Sequence, residues 1–219
     1  MKRLTEPNHH VMLLAISDIQ VPIIYSSHIK SRFSDIDLAI SCGDLNYYYL
    51  EYIISMLNIP LFYVNGNHNP VEINESGETR SEPWGAINLH KQVIYNKKFD
   101  LILAGIEGCL RYNKGKHQYS QGEMLRMVLG LTPRLILNKF KYGRYLDIFV
   151  THASPKGIHD DDDRAHQGIK AFNWLIKVFQ PRYHLHGHIH VYNPRQVRET
   201  QYGNTIILNT YGYKEIKLT

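Results

Sequence analysis

Five short polar segments are spaced along the chain, and each follows an apolar run that predicts a β-strand. Every segment contains Asp, Asn, Gln or His, the residues that bind first-row divalent cations. The segments are Asp18-Ile19-Gln20, Gly43-Asp44, Gly66-Asn67-His68-Asn69, Thr151-His152-Ala153 and Gly187-His188-Ile189-His190. Because ligands of parallel sheets bind where the carboxyl ends of the strands meet, this pattern predicts a two-metal hydrolytic site.

The apolar patterns predict where these strands and the intervening helices lie. In the first third of the chain, strands over residues 11–17, 37–42 and 61–65 alternate with helices over 25–33 and 47–57, and a polar loop follows over 69–84. Such β-α units imply parallel pairing of the strands. Later strands are predicted over 93–95, 101–105 and 145–150, and a second group of strands is completed by 183–187, 205–209 and 213–218. Helices are predicted over 169–179 and over 121–138, the latter interrupted by Gly130 and Pro133.

Length and hydropathy favour a single globular domain over residues 1–219. A chain of this size, 43% hydrophobic and 21% charged, can bury most of the apolar surface of its strands. No apolar stretch approaches the roughly 20 residues needed to cross a bilayer, so no membrane role is expected. The apolar run at residues 11–16 is short and leads into Asp18, which favours a core strand over a secretory signal.

Cysteine content and charge restrict the setting and the partners. Cys42 and Cys109 are too few for a disulfide framework, so a reduced, cytoplasmic setting is expected. The formal charge of +5 is modest and scattered along the chain. It does not favour a nucleic-acid groove, although weak attraction of phosphorylated substrates is compatible with it.

The order of the five segments resembles the calcineurin-like metallophosphoesterase superfamily. The family pattern runs D-x-H, GD, GNH followed by an acidic residue, a lone His and GHxH, and the resemblance spans residues 11–190. The matching residues are Asp18, Asp44, Asn67, His68, His152, His188 and His190. Gln20 stands where the family has His, and Asn69 stands where it usually has an acidic residue. The resemblance implies a four-layer α/β/β/α sandwich of two mixed β-sheets flanked by helices.

The resemblance also implies two divalent cations, with Mn²⁺ preferred and Fe, Ni, Zn or Co as alternatives. By carry-over from the family pattern, Asp44 bridges the two ions. The first metal is assigned to Asp18, Gln20 and His190, and the second to Asn67, His152 and His188. Taken singly, several of these residues have simpler interpretations, because Gly-Asp is a common turn, Asp often caps the segment after a strand, and a lone His is often structural.

The GHxH segment and Gln20 bear on how tightly the metals bind. In an extended segment, His188 and His190 lie on the same side of the chain, as two ligands of one site must. His184 and His186 share that alternation and are expected to pack or to support the ligands. The Gln20 carboxamide is a poorer donor to borderline metals than imidazole, so the first metal is expected to be bound more weakly than the second or to take water at that position.

The family pattern assigns the chemistry to the GNH segment. Its histidine faces the leaving-group oxygen, which makes His68 the leaving-group acid and a substrate-binding residue. Asn67 and the cations hold the phosphoryl oxygens while a metal-activated hydroxide attacks phosphorus. Arg111, in the polar loop over residues 111–117, either pairs with the substrate phosphate or belongs to an exposed connection.

The acidic run that follows His152 has two interpretations. It is either a solvated turn before the next helix, which is expected to begin near His166, or part of the rim of the site. In the second case His159, Asp160, Asp163 or His166 would hold hydrogen bonds to the histidine ligands.

The sequence thus predicts a cytoplasmic metal-dependent phosphoesterase that hydrolyses a small phosphodiester or phosphomonoester. A nuclease of the same fold is a rival within the enzyme class. The rival from another class is a degenerate protein-interaction scaffold, as in the retromer scaffold subunit, which resembles these enzymes. Gln20 and Asn69 favour the scaffold, whereas the other matched residues favour an enzyme. No sequence feature specifies an oligomeric state.

Overall fold

The computed structural model describes residues 10–68, 72–73, 77, 79–193 and 195–218, so Asn69 lies outside the described residues. The helices in this part of the chain are α1 Ile29–Arg32, α2 Tyr47–Leu57, α3 Gln121–Tyr142 and α4 Lys170–Phe179. The strands are β1 Val11–Ser17, β2 Leu38–Ser41, β3 Leu61–Tyr63, β4 Glu72–Ile73, β5 Thr79–Arg80, β6 Ala86–Asn88, β7 Gln92–Asn96, β8 Leu101–Ile106, β9 Cys109–Leu110, β10 Gln118–Tyr119, β11 Ile148–Thr151, β12 Tyr183–His186, β13 Glu199–Tyr202, β14 Thr205–Asn209 and β15 Gly212–Leu218.

Two large sheets, both mixed, carry the fold. The first sheet has the order β15-β1-β2-β3-β6, with β15 antiparallel to β1 and the other pairs parallel. The second has the order β13-β14-β12-β11-β8-β7, and both of its edge strands are antiparallel to their neighbours. The parallel centre of each sheet confirms the β-α units that the sequence predicts.

Alternating side chains of the central strands build three apolar layers. Leu13 and Ala15 of β1 face the second sheet and form the inter-sheet core, whereas Leu14 and Ile16 pack with α1 and α2. In the second sheet, Phe149 of β11 packs with α3 and α4 on the outer side. The order of layers is therefore helices, sheet, sheet, helices, which confirms the predicted four-layer α/β/β/α sandwich.

The strand β15 departs from the sequence prediction. Its residues were expected in the second group of strands, but β15 pairs antiparallel with β1 at the edge of the first sheet, with Val11 opposite Leu218. The chain crosses between the sheets just before β15, where the hydroxyl of Thr210 donates to the hydroxyl of Ser17 at 3.0 Å. Ile216 then reaches the inter-sheet core from the first sheet.

The helix α3 is continuous through both residues that were predicted to interrupt it. A capping box of Ser120 and Glu123 begins the helix, and Gly143 ends it in a left-handed conformation. Pro133 lies on the exposed side of α3, while Leu131 and Leu135 pack on the second sheet, so buried contacts on both sides of the proline maintain the helix. No helix in the described part of the chain, α3 included, is long and apolar enough to cross a membrane.

Other differences concern short elements. The helix predicted over residues 25–33 is only the four-residue α1, because the Ser26 hydroxyl bonds to the Ile23 carbonyl at 3.0 Å and holds the preceding residues in turns. The loop predicted over 69–84 contains the short antiparallel pair of β4 and β5. The sequence patterns do not predict the short strands β6, β9, β10 and β13.

The inter-sheet core allows a direct test of the fold. Leu103 lies in the middle of β8 and is fully buried, whereas Leu137 of α3 is 61% exposed. We expect Leu103→Ala to lower the free energy of unfolding by about 2–5 kcal/mol, because it leaves a cavity between the sheets. The matched change Leu137→Ala should alter it by less than about 0.5 kcal/mol. Urea denaturation of both variants measures the difference, and equal losses would contradict the assigned core.

Candidate metal centre

Three predicted ligands from both sheets converge at the carboxyl ends of the strands. Asp44 follows β2, His152 follows β11 and His188 follows β12. One ligand atom from each lies within 4.8 Å of the others. The His152 Nε2 atom is 3.2 Å from the Asp44 Oδ2 atom, and the two imidazole rings have centroids 4.8 Å apart. Among the described residues this is the group of His, Cys, Asp and Glu side chains that could hold a metal ion.

Three predicted ligands occupy a backbone conformation that is uncommon for residues other than glycine. Asp18, Asp44 and His188 have φ values of +67°, +57° and +67°. Asp, Asn and His tolerate the left-handed region better than most residues, and strain of this kind concentrates at functional sites. Each of these positions lies within three residues of the end of a strand.

Glycines let the loops approach one another closely beneath these ligands. A Cβ atom added to Gly43 would lie 2.6 Å from the Gly66 nitrogen and 2.7 Å from the His152 Nδ1 atom. One added to Gly66 would collide with the Asp44 carboxylate, and one added to Gly187 would lie 2.7 Å from the Asp18 Oδ2 atom. The glycines of three motifs are therefore required by contact with the ligands of other motifs.

Backbone carbonyls fix which nitrogen of each buried imidazole is available. His152 Nδ1 donates to the Cys42 carbonyl at 2.8 Å, which leaves Nε2 facing Asp44. His188 Nε2 donates to the Ala165 carbonyl at 2.9 Å, which leaves Nδ1 for the cluster. Partners of this kind orient metal-binding histidines and set their tautomer.

Asp18 lies beside this cluster in the first sheet. Its Oδ1 atom accepts the backbone N–H of His188 at 2.9 Å. Its Oδ2 atom is buried and has no hydrogen-bond partner among the described residues. Burial raises the pKa of Asp18, although the positive charge of His152 opposes this shift. The structure thus links Asp18 to His188 and leaves one buried carboxylate oxygen of Asp18 without a hydrogen-bond partner among the described residues.

Charge and burial set opposite pKa shifts within the cluster. Burial lowers the pKa of His152, but the Asp44 and Asp18 carboxylates outweigh it and raise this pKa to about 9. Burial raises the pKa of Asp44, but the charge of His152 outweighs it and lowers this pKa to about 2. Burial lowers the pKa of His188 to about 3, so its imidazole is neutral at pH 7.

The donor set fits a divalent cation. His152 Nε2 faces two oxygen acceptors, Asp44 Oδ2 and, at 3.0 Å, Asn67 Oδ1. A nitrogen and two acceptor oxygens can lie this close together only when a proton or a cation lies between them. Metal binding at such sites displaces the proton. The buried oxygen of Asp18 needs the same compensation. Carboxylate, carboxamide and imidazole ligands together suit first-row divalent metals.

Asn67 and His68 lie next to the cluster and share a hydrogen-bond partner. The backbone N–H of His68 donates to Asp44 Oδ1 at 2.7 Å. The hydroxyl of Tyr112 is 3.1 Å from His68 Nε2 and accepts the Asn67 Nδ2 group at 3.0 Å. The imidazole of His68 is exposed beside the buried ligands, where an incoming substrate can contact it. Tyr112 has no sequence signal that distinguishes it from the other tyrosines.

Three predicted site residues lie outside this compact group. The Gln20 amide donates to the Tyr48 hydroxyl at 2.7 Å. His190 is exposed, and its Nδ1 atom is 2.7 Å from the Tyr192 hydroxyl. Arg111 bonds to Glu123 at 3.0 Å, near the beginning of α3. The assignment of Gln20 and His190 to the first metal, and of Arg111 to the substrate, therefore stays a prediction.

The acidic run after His152 contributes to the site through its backbone. Asp163 Oδ2 is 2.7 Å from His166 Nδ1, and this turn presents the Ala165 carbonyl to His188. His159 instead bonds to His186 at 2.9 Å. Asp160 holds the loop together by accepting the backbone N–H groups of residues 157 and 168. The turn at residues 163–166 thus supports His188 from the rim of the site, whereas Asp160 stabilises the loop.

A buried carboxylate that the sequence prediction overlooked supports the Asn67 loop. Glu107 Oε2 accepts the Asn65 amide at 3.0 Å, and Oε1 accepts the Tyr119 hydroxyl at 2.7 Å. His117 Nδ1 lies 2.9 Å from the same Oε1 atom. Burial raises the pKa of Glu107, but the bond from His117 and the nearby imidazoles lower it to about 2. An ionised Glu107 thereby fixes Asn65, two residues before Asn67.

The chain matches no protein-family model, and no curated protein matches it. The solved structure of TT1561 from Thermus thermophilus is similar, with a TM-score of 0.60 and 12% identity over 96% of this chain and 100% of that chain. A second crystal structure has a TM-score of 0.60 and 14% identity over the same shares, 96% and 100%. Vacuolar Protein Sorting 29 from Cryptosporidium parvum gives a TM-score of 0.44 and 13% identity, over 93% of this chain and 75% of that chain. The first two likenesses show a shared fold.

Substitutions of two glycines test the close approach beneath the cluster. Gly43 and Gly143 have φ values of +102° and +76°, but no non-neighbouring atom of the described residues lies within 4 Å of a Cβ added to Gly143. We expect Gly143→Ala to cost only the backbone strain, about 1–2 kcal/mol, and to leave Mn²⁺ binding unchanged. Gly43→Ala should cost more and weaken Mn²⁺ binding by at least about tenfold, because His152 must move. Urea denaturation and Mn²⁺ titration measure both effects; wild-type Mn²⁺ affinity in Gly43→Ala would disprove the contact.

Proposed function

We propose that this protein is a metal-dependent phosphoesterase of the calcineurin-like metallophosphoesterase superfamily. The observation that carries the proposal is the convergence of Asp44 Oδ2 and Asn67 Oδ1 on His152 Nε2, with His188 in the same group and His68 beside it. The shared fold and the order of the motifs along the chain support it. A buried group of carboxylate, carboxamide and imidazole ligands next to an exposed imidazole is the arrangement that metal-assisted hydrolysis requires.

The proposed ligands divide between two cation positions. Asp44, Asn67, His152 and His188 would hold the second metal, and Asp18, Asp44, Gln20 and His190 would hold the first. Divalent cations bound there, Mn²⁺ above the alternatives Fe, Ni, Zn and Co, would supply an activated water and neutralise the charge on the phosphoryl group. The contacts among Asp44, Asn67, His152 and His188 support tighter binding of the second metal. Gln20 and His190, which would hold the first metal, are bonded to other side chains.

The residues of the chain have separate tasks in the proposed reaction. His68 donates a proton to the leaving-group oxygen, because its imidazole is exposed while its backbone is fixed to Asp44. The Asn67 carboxamide contacts a phosphoryl oxygen from the side of the cluster. The carbonyls of Cys42 and Ala165 hold the two buried imidazoles in place, so the ligands need no rearrangement when substrate binds.

The proposed substrate is a small phosphodiester or phosphomonoester in the cytoplasm. Cys42 and Cys109 are buried and form no disulfide with the described residues, as is usual for proteins of that compartment. The scattered charge of +5 gives little support to a nuclease. Steep loss of polynucleotide binding with rising salt would favour the nuclease instead.

The rival proposal is a protein-interaction scaffold that keeps the fold without turnover. One observation favours it, namely that Gln20 stands at a predicted metal position and its amide is bound to Tyr48. The cluster of Asp44, His152 and His188 favours the enzyme, because a scaffold has no need for buried, strained ligands.

Hydrolysis of a chromogenic bis-aryl phosphate with added Mn²⁺ tests the proposed function. We expect metal-dependent turnover by the wild-type protein. His68→Ala should lower kcat by about 10²–10⁴-fold, because it removes the proton donor, while Mn²⁺ affinity stays within about twofold. Asp44→Asn should weaken Mn²⁺ binding, since a neutral amide replaces a carboxylate between the metal positions.

A matched control and a clear negative outcome complete this experiment. His28→Ala removes an exposed imidazole from the segment before α1 and should leave kcat and Mn²⁺ affinity unchanged. Absence of Mn²⁺-dependent turnover in the wild-type protein, with Mn²⁺ binding intact, would favour the scaffold.

The weaker metal position gives a separate prediction. Gln20→His places an imidazole at the first metal position in place of a carboxamide. The variant should therefore bind Mn²⁺ at this weaker position about tenfold more tightly, or ~1.4 kcal/mol. Titration calorimetry and elemental analysis at limiting chelator measure the change. Gln201→His, at an exposed position of β13, is the control and should bind as the wild type does. Two tightly held equivalents in the wild-type protein would contradict unequal occupancy.

A further inference from the structure

The Tyr112 side chain reaches the site from a loop that is itself well fixed. The backbone N–H groups of Tyr112 and Asn113 both donate to the Gln118 Oε1 atom at 3.1 Å. Gln118 is buried, and its Nε2 atom donates to Asn113 Oδ1 at 2.6 Å. The aromatic ring packs against the apolar layer between the second sheet and its helices. The position of the Tyr112 hydroxyl is therefore set by the loop, independently of any ligand in the site.

This hydroxyl joins the two residues that the proposed reaction uses beside the metals. It accepts the Asn67 Nδ2 group at 3.0 Å and lies 3.1 Å from His68 Nε2. A phenol has one proton to donate, so a hydroxyl that donates to His68 can only accept from Asn67. Asn67 must then present its amide nitrogen to Tyr112 and its oxygen to His152, which is the observed orientation.

We propose that Tyr112 is a positioning residue, which keeps the Asn67 carboxamide oxygen facing the metal cluster and holds the His68 imidazole beside it. The role of His68 rests on the proposed function; the orientation of Asn67 does not. An amide turned the other way would present N–H groups to the cluster, and an amide nitrogen cannot ligate a cation. Without the hydroxyl, His68 would keep only its backbone bond to Asp44 among its hydrogen bonds with the described residues.

The substitution Tyr112→Phe tests this role, because it removes the hydroxyl and keeps the packed ring. Its control is Tyr95→Phe, which removes a hydroxyl bonded to Asp100 at 3.0 Å on the outer strand β7. We expect Mn²⁺ affinity to fall about tenfold in Tyr112→Phe and to stay within about twofold in Tyr95→Phe. The effect on turnover should be a fall of about tenfold in kcat with KM changed by less than about twofold.

A spectroscopic measurement separates this proposal from the proposed function. The side-chain amide signals of Asn67, identified by their loss in Asn67→Asp, should shift in the ¹H–¹⁵N spectrum of Tyr112→Phe and not in that of Tyr95→Phe. If the wild-type protein has no turnover, the proposed function fails, but Mn²⁺ affinity and the Asn67 signals still decide the role of Tyr112. Weaker Mn²⁺ binding together with shifted Asn67 signals supports the proposal. Mn²⁺ affinity unchanged by Tyr112→Phe overturns it, whatever happens to kcat.

Discussion

The site depends on one hydrogen bond between the two sheets, from His152 Nδ1 to the Cys42 carbonyl at 2.8 Å. Cys42 follows a strand of the first sheet and His152 follows a strand of the second. The bond therefore joins the two sheet edges at the point where Asp44 meets the imidazole. It also fixes the tautomer, because the Nδ1 proton is committed to the carbonyl and Nε2 remains for the carboxylate or a cation.

The two sheets contribute different chemistry to the same edge. The first sheet supplies the carboxylates Asp18 and Asp44, and the second supplies the imidazoles His152 and His188. Neither sheet alone holds a complete ligand set, so the distance between them has to be constant. The tightly packed inter-sheet core provides that constancy, since close-packed side chains resist displacement. In this fold, the distances between the ligands therefore depend on the packing of the core between the sheets.

The sequence predicts the strand ends well because apolar runs and polar breaks are local signals. For the same reason it predicts that Asp44, His152 and His188 meet at this edge, whereas its placement of Gln20, His190 and Arg111 in the site stays a prediction. It does not predict that β15 leaves the second group, since edge pairing with β1 is decided by contacts about two hundred residues apart along the chain. Nor does it indicate the carbonyls of Cys42 and Ala165, because every residue has a carbonyl. Tyr112 is one of sixteen tyrosines, and only the folded loop brings its hydroxyl to Asn67.

The arrangement has an energetic consequence for the folded state. Burying the Asp18 carboxylate and holding Asp44 and His188 at positive φ both oppose folding. The charge of His152 offsets part of this for Asp44, as the opposite pKa shifts of the pair indicate. The charge of His152 opposes the burial of Asp18 as well, but the pKa of Asp18 stays raised and its Oδ2 atom has no hydrogen-bond partner among the described residues. A cation that binds the folded chain and not the unfolded one would lower the free energy of the folded state at this point, so metal affinity and stability are coupled through the same carboxylates.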